Sequence, residues 1–395
     1  MNFLVLSLFK AALVAAVLLT TLAYLQWVER KVIAHIQVRL GPSRVGPHGL
    51  LQPLADVIKL LTKEDLIPPH ANKPLFIAAP FLAVMVALLP AAVIPFGPEV
   101  PVFGGTTWMQ LTDLNVGVLF ILAASSMGVY GIVLAGWASN NKYALLGGLR
   151  NSAQMISYEL PLALAIVAPL LLANTLSLRE LVERQGGYLF GFLPNWHVFQ
   201  GPWPQVLSFA IFFVAGFAET NRIPFDLPEA ENELVAGFHT EYSSMKFAAF
   251  FMAEYANIVT MCSMTTVLFL GGWHAPFPSS LGSDWVPAAV FGLAGAIALS
   301  HGLNPARRRD RLTLPVVAAL FFAIALVFLL PAVRVYLVPL FWFGAKTGVL
   351  LFIFIWVRGT LPRFRYDQLM SFAWKILFPA AMVNLLVTGL LVALG

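Results

Sequence analysis

The sequence holds 395 residues, 59% of them apolar and only 11% charged, with a mean hydropathy of +0.81. A soluble chain carries roughly 25% charged residues, so a string of water-soluble domains is excluded, as are disordered, collagen-like and disulfide-scaffold readings. The lone cysteine, Cys262, excludes an internal disulfide and any multi-cysteine zinc or iron–sulfur site within the chain, and the net charge of +5 matters only through its placement.

Crossing a bilayer takes about 20 mostly apolar residues. Runs of that kind lie at 3–27, 75–96, 115–138, 153–173, 204–220, 245–270, 286–301, 313–333, 338–357 and 375–394. None alternates as a membrane β-strand does. The expected fold is therefore all-α, a polytopic membrane helix bundle of about ten spans forming a single integral membrane domain over 1–395. The first run is too long for a cleavable leader, holds Lys10 internally and lacks a small-x-small cleavage site. Between the first two runs, Leu50, Leu51, Leu54, Val57, Ile58 and Leu61 recur at helical spacing, with Asp56, Lys59 and Lys63 on the other face. That pattern over 49–63 predicts an amphipathic helix lying in the interface plane.

Most of the 24 Lys and Arg residues fall on one side of this arrangement. Arg30, Lys31, Arg39, Arg44, Lys59, Lys63 and Lys73 lie in the first loop, Lys142 and Arg150 after the third span, Arg222 and Lys246 after the fifth. Arg307, Arg308, Arg309 and Arg311 follow the seventh, and Arg358, Arg363, Arg365 and Lys375 precede the last. Basic loops stay in the cytoplasm, which predicts that both termini face outward. The four-arginine stretch falls on the basic side only if the seventh and eighth spans form a hairpin.

Ionisable groups inside a bilayer cost a few kcal/mol each and are functional candidates by default. Glu159, Glu254 and Lys346 lie within spans, where a buried ion pair or a hydrogen bond that fixes helix register is the simpler reading. The densest stretch runs from Glu219 through Arg222, Asp226, Glu229, Glu231 and Glu233 to Glu241. Asp226 and Glu229 have capping-box spacing, which leaves the other acids unexplained. Clustered carboxylates repel one another and exchange protons near neutrality. From Glu241 to Glu254 is roughly 20 Å of helix rise, so the residues themselves point to a proton relay from a cytoplasmic acidic cluster into the membrane. There is no Gly-rich phosphate loop, no His-Glu-x-x-His pair, and the seven histidines are scattered. No metal site is expected, and the chain by itself can neither oxidise a nicotinamide nor hold a redox centre.

Several motifs carry a resemblance. They are Glu29-Arg30-Lys31, Gln37-Val38-Arg39-Leu40-Gly41-Pro42, Gln52-Pro53-Leu54-Ala55-Asp56, the acidic loop through His239-Thr240-Glu241-Tyr242-Ser243, and the run from Trp356-Val357-Arg358-Gly359 to Asp367-Gln368-Leu369-Met370. Together they resemble the family of the H-type (subunit-one) membrane component of bacterial NADH–quinone oxidoreductase, the proton-translocating respiratory complex I. The resemblance implies a chain of the inner membrane that anchors the peripheral redox arm, walls the chamber through which quinone (ubiquinone or a relative) arrives, and couples its reduction to proton translocation. It implies quinone-chamber positions at Arg30, Arg39, Asp56, Phe225, Arg358 and Arg363, and proton-coupling positions at Glu159, Glu219, Arg222, Asp226, Glu229, Glu231, Glu233, Glu241 and Glu254. Implied partners are the peripheral quinone-site subunits, small membrane subunits leading to antiporter-like ones, and lipid, but no nucleic acid. The chain itself is expected to bind no cofactor, with flavin and iron–sulfur clusters held by partners. The family usually has eight spans, so 286–333 reads as an inserted transmembrane hairpin.

Two rival readings remain at this point. A secondary ion transporter would place its charges at mid-membrane between internal repeats, and neither feature is evident. The membrane anchor of a proton-pumping hydrogenase or formate hydrogenlyase would share the acidic loop but need no quinone chamber.

Overall fold

A computed structural model of the protein describes residues 3–102, 105–201, 203–226, 235–304 and 310–394. Glu229, Glu231 and Glu233 of the acidic loop, and Arg307, Arg308 and Arg309, lie outside the described residues. Water cannot satisfy backbone groups inside a bilayer, so each crossing segment closes its own hydrogen bonds as a helix. Among the described residues nine helices are long and apolar enough to cross. They are α1 (Phe3–Ile36), then, after the interfacial helix α2 (Gln52–Thr62), α3 (Lys73–Leu88, extended by a tight turn to Ala92), α4 (Gly117–Ala138) and α5 (Lys142–Ala173). The short α6 (Leu178–Arg184) and α7 (Val206–Glu219) precede α8 (Ser244–Phe269), α9 (Val286–Leu303), α10 (Asp310–Leu329) and α11 (Pro331–Thr360). The last crossing unit is α12 (Tyr366–Phe372), a π-helical turn at Ala373–Leu377, and α13 (Phe378–Leu394). The protein is an all-α polytopic membrane bundle. The 14 residues of α7 rise only about 21 Å, short of a ~30 Å hydrocarbon core, so the fifth expected span is not of crossing length and the described residues hold nine such helices where about ten were expected.

Helix ends depart from the apolar runs where packing or proline decides them. The fourth run begins at 153, but α5 begins at Lys142, where the Asn141 side chain accepts from the Tyr143 amide at 2.9 Å. Its polar first turns stay helical because the chain packs closely there: a Cβ on Gly147 would stand 2.8 Å from the Gly237 Cα. The eighth and ninth runs meet differently from expectation. α10 stops at Leu329, Leu330 is extended, and Pro331 opens α11 at the first helical position, where its missing N–H costs nothing.

The core is built where α3, α4, α5, α7 and α8 pack side by side, with Phe76, Tyr158, Phe212 and Phe269 fully buried. α13 closes against α5 and α7, while α1 and α11 lie along α8. α9 and α10 pack chiefly on each other and reach the bundle through a separate cluster of Phe291 and Phe328 with Phe341 and Trp342 of α11. At its far end this pair touches the first loop, where His48 Nε2 lies 3.3 Å from Thr313 Oγ1 and 3.6 Å from Asp310 Oδ1.

Two small hairpins, β1 (Gly97–Val102) with β2 (Gly105–Met109) and β3 (Tyr188–Leu189) with β4 (Leu193–Pro194), lie on the face that carries both termini. Lys10 reaches β2 from one end of the chain, and Asn384 accepts from Trp203 near the other. The lysines inside spans have structural partners. Lys346 donates to the Leu270 and His274 carbonyls at 2.6 and 2.8 Å, capping the C-terminus of α8, and lies over the Trp196 ring. The opposite face holds α2, whose Leu54, Val57, Ile58 and Leu61 are exposed as one apolar stripe.

Candidate functional site

The site lies at the end of the bundle away from the termini, where α1, α7, α8 and α11 converge. α1 runs past its apolar stretch, and the added turns carry Glu29 to the interior (5% exposed) while Arg30 points outward. α7 ends at Glu219, and Asn221, with φ of +51°, turns the chain so that Arg222 folds back between helices. Its Nε lies 2.7 Å from Glu254 Oε1 on α8, its Nη1 3.5 Å from Glu29 Oε1, and its guanidinium 4.4 Å from the Tyr255 ring centre. Arg358 of α11 pairs with the same Glu29 carboxylate. Two carboxylates and two guanidinium groups therefore balance charge in a desolvated seam, the condition under which buried ions are tolerated at all.

A second acidic pair stands across α4. Glu219 Oε1 accepts from Ser125 Oγ at 2.5 Å, and Glu159 Oε1 accepts from the adjacent Ser126. Consecutive serines on one helix thus bind carboxylates from two others, α7 and α5. The other oxygen of Glu219 is buried with no hydrogen-bond partner among the described residues. A cavity of about 50 Å³ opens beside it, walled by Glu219, Thr220, Asn221, His239, Glu254 and Asn257 among others. That space is large enough for a few waters, and Glu219, His239, Glu254 and Asn257 give it polar groups to face them. It joins the Glu159–Glu219 pair to the Arg222 seam through Glu254, which belongs to both. Burial lowers His239 to about 4, so the imidazole that lines this cavity is neutral at neutral pH, and burial raises the Tyr242 hydroxyl beside it.

The remaining expected residues are spread around this centre. Arg30 Nη1 lies 2.8 Å from Asp56 Oδ2, and Gln52 Nε2 donates to Asp56 Oδ1 at 2.9 Å, tying α2 to α1 at the surface. Arg363 Nη2 donates to the buried Asp226 Oδ2 at 3.0 Å. Glu241 accepts from Asn141 Nδ2 at 2.7 Å. Arg39 is exposed and donates to Gln37 Oε1, two residues away, outside the buried cluster. Phe225 is buried between the Tyr158 and Phe364 rings.

Four residues that sequence reasoning did not single out complete the arrangement. Glu29 was legible as an acid closing an apolar run. Gln154, fully buried on α5, donates to the Ala218 and Phe225 carbonyls at 2.9 and 2.8 Å and so holds the turn that aims Arg222. Tyr158 donates to the Leu369 carbonyl at 2.9 Å, and Tyr255 stacks on Arg222. A single glutamine or tyrosine within an apolar helix gives no signal of its partner. Among the described residues no group of three or more His, Cys, Asp or Glu is placed to hold a metal ion. The cluster's carboxylates, hydroxyls and imidazole are groups that can hold and exchange protons.

Comparison with known proteins bears on the whole chain. A family model described as NADH dehydrogenase matches residues 9–389. The chain is 70% identical over 392 residues to the NADH-quinone oxidoreductase H-type subunit 1 of Solibacter usitatus, covering 99% of this chain and 98% of the relative. It is 50% identical over 402 residues to the H-type subunit 2 of Koribacter versatilis, at 99% and 98% coverage. It is 45% identical over 370 residues to the H-type subunit of Protochlamydia amoebophila, at 94% and 92% coverage.

Proposed function

Since this chain belongs to the NADH dehydrogenase family as an H-type subunit of NADH–quinone oxidoreductase, we propose that its buried ion seam wires quinone reduction to a proton relay. The chain is a multi-pass membrane subunit of that enzyme. In our reading Arg30, Arg39, Asp56, Phe225, Arg358 and Arg363 belong to the wall of the quinone chamber. Glu159, Glu219, Arg222, Asp226, Glu229, Glu231, Glu233, Glu241 and Glu254 belong to the coupling path. Partner subunits supply the flavin and iron–sulfur chemistry that delivers electrons. The basic face is the cytoplasmic one of a bacterial inner membrane, and α9 with α10 is an added hairpin.

The observation that carries this reading is the division of Arg222 between Glu29 and Glu254 at 3.5 and 2.7 Å, with Arg358 holding the outer carboxylate. Reducing a quinone to a quinol takes up two electrons and two protons, so the Arg358 end carries extra negative charge whenever an electron has arrived ahead of its proton. In a low-dielectric seam a unit charge a few ångströms away is worth several kcal/mol, enough to move Arg222 from one carboxylate toward the other. As Arg222 leaves Glu254, that carboxylate takes up a proton from the cytoplasmic side through the adjoining cavity. As Arg222 returns, the proton passes toward Glu219 and Glu159. The bound serines keep both carboxylates oriented without neutralising them.

The test is Glu254→Gln in the assembled complex reconstituted in vesicles, with NADH-driven quinone reduction and lumenal acidification followed together. Assembly with loss of proton-coupled turnover is expected. Normal turnover with a normal proton-to-electron ratio removes Glu254 from the path.

A further inference from the structure

A crevice of about 730 Å³ lies between α1 and the α8–α11 face, in the half of the bundle nearest the termini. Nearly all of its wall is apolar, and Leu13, Val17, Phe343, Gly344, Gly348 and Leu351 form much of it. Its size falls within the roughly 300–1,000 Å³ of sites that enclose a small ligand. Two features give it direction. At the terminal end Lys10 donates to Thr107 Oγ1, the Trp108 carbonyl and the Gln110 carbonyl at 2.5, 2.8 and 3.3 Å, so all three ammonium hydrogens go to neutral oxygens. Its charge is solvated but not cancelled, and no carboxylate lies within 4.0 Å of it among the described residues. The Thr107 hydroxyl accepts from Lys10 and keeps its own hydrogen for another acceptor. At the other end α1 closes on the bundle through the buried Leu22 and Leu25. From Leu6 to Thr21 the lined stretch of α1 rises only about 22 Å.

We propose that this crevice binds one anionic phospholipid of the leaflet on the terminal side. Its phosphate sits at Lys10 and Thr107, and one acyl chain lies along α1 against Gly344 and Gly348. The polarity fits: a cation at the membrane face, then apolar wall for somewhat more than the ~15 Å depth of one leaflet, half of a ~30 Å hydrocarbon core. A spanning helix from a partner needs the full ~30 Å, and the crevice ends at Leu22. An apolar cavity does not hold water, so in a bilayer the filler is an acyl chain. Neither glycine has anything within 4 Å of an added Cβ, so the space in front of both is open. Both line the crevice. The site rests on the membrane fold and not on the coupling scheme above.

The purified complex is reconstituted in phosphatidylcholine vesicles containing phosphatidylglycerol with a photoreactive diazirine near its acyl terminus, and labelled peptides are mapped. Labelling is expected on peptides containing Leu13–Thr21 and Phe343–Leu351. It should favour the phosphatidylglycerol probe over its phosphatidylcholine equivalent by about fivefold, the ratio that ~1 kcal/mol per basic residue at a membrane surface gives. Gly344→Leu fills the crevice and should abolish that labelling. Lys10→Met should leave labelling but equalise the two probes, and Lys10→Arg should keep the preference. Labelling that survives Gly344→Leu, equal labelling by both probes in the unaltered complex, or occupation by a neighbouring subunit or by a photoreactive quinone instead each overturns the proposal.

Discussion

Replacing Arg222 by methionine keeps the packing of its aliphatic stem and deletes the guanidinium, which isolates the electrostatic part of the seam. Arg222 and Glu254 side chains are 7% and 15% exposed and 2.7 Å apart, so neither is screened by water. Removing one partner of such a pair costs about 3–5 kcal/mol, because the other stays buried without its counter-charge. Glu29 is protected because Arg358 still faces it. Hence Arg222→Met should lower the thermal midpoint of the purified complex markedly. Arg222→Met with Glu254→Gln should be more stable than Arg222→Met alone, with a coupling energy above ~1 kcal/mol in the cycle. Arg363→Met provides the scale: Arg363 is 31% exposed and its pair with Asp226 spans 3.0 Å, so water screens the pair and its loss should cost less. Additivity of the two single changes to within about 0.5 kcal/mol, or an effect no larger than that of Arg363→Met, refutes the buried-seam argument.

Other consequences follow from individual contacts. Lys346→Met removes the cap on α8 and should lower the thermal midpoint, by a loss of about 1–3 kcal/mol for the unmatched carbonyls, without changing apparent quinone affinity. A changed affinity shows that Lys346 acts on the site and not only on the helix end. Burial lowers His197, His239 and His274 to about 4, below the ordinary value near 6.5. Between those values the unfolded chain binds more protons than the folded one, so stability should be level above about pH 6.5 and fall as pH drops toward about 4. Midpoints measured across that range should show a shallower fall in His239→Gln, and an unchanged slope excludes His239 as a contributor. Gly147→Val should block assembly, as its Cβ would meet the Gly237 backbone at 2.8 Å, whereas Gly344→Ala should assemble normally. Comparable yields of both variants in membranes refute the close approach of α5 to that turn.

Much of this protein is written in quantities that run along the chain. A bilayer obliges a long apolar run to be a helix, so the spans, the interfacial stripe at Leu54, Val57, Ile58 and Leu61, and the acids at Glu159, Glu219 and Glu254 were readable as such. Helix ends were less so, because Lys142 begins α5 for reasons of capping and Gly147 packing that hydropathy does not register. The partnerships were not readable at all. Glu29, Arg222, Glu254 and Arg358 come from four segments far apart in the sequence, and only their packing decides that Arg222 is shared between two carboxylates and not given to one. Likewise Lys10 and Lys346 look alike as charges within apolar runs. Tertiary structure makes one the charged end of a lipid-sized crevice and the other a helix cap. Hydropathy and charge are properties of each residue, fixed by its transfer from water. An ion pair or a cavity is a property of distances, which exist only once the helices have chosen their neighbours.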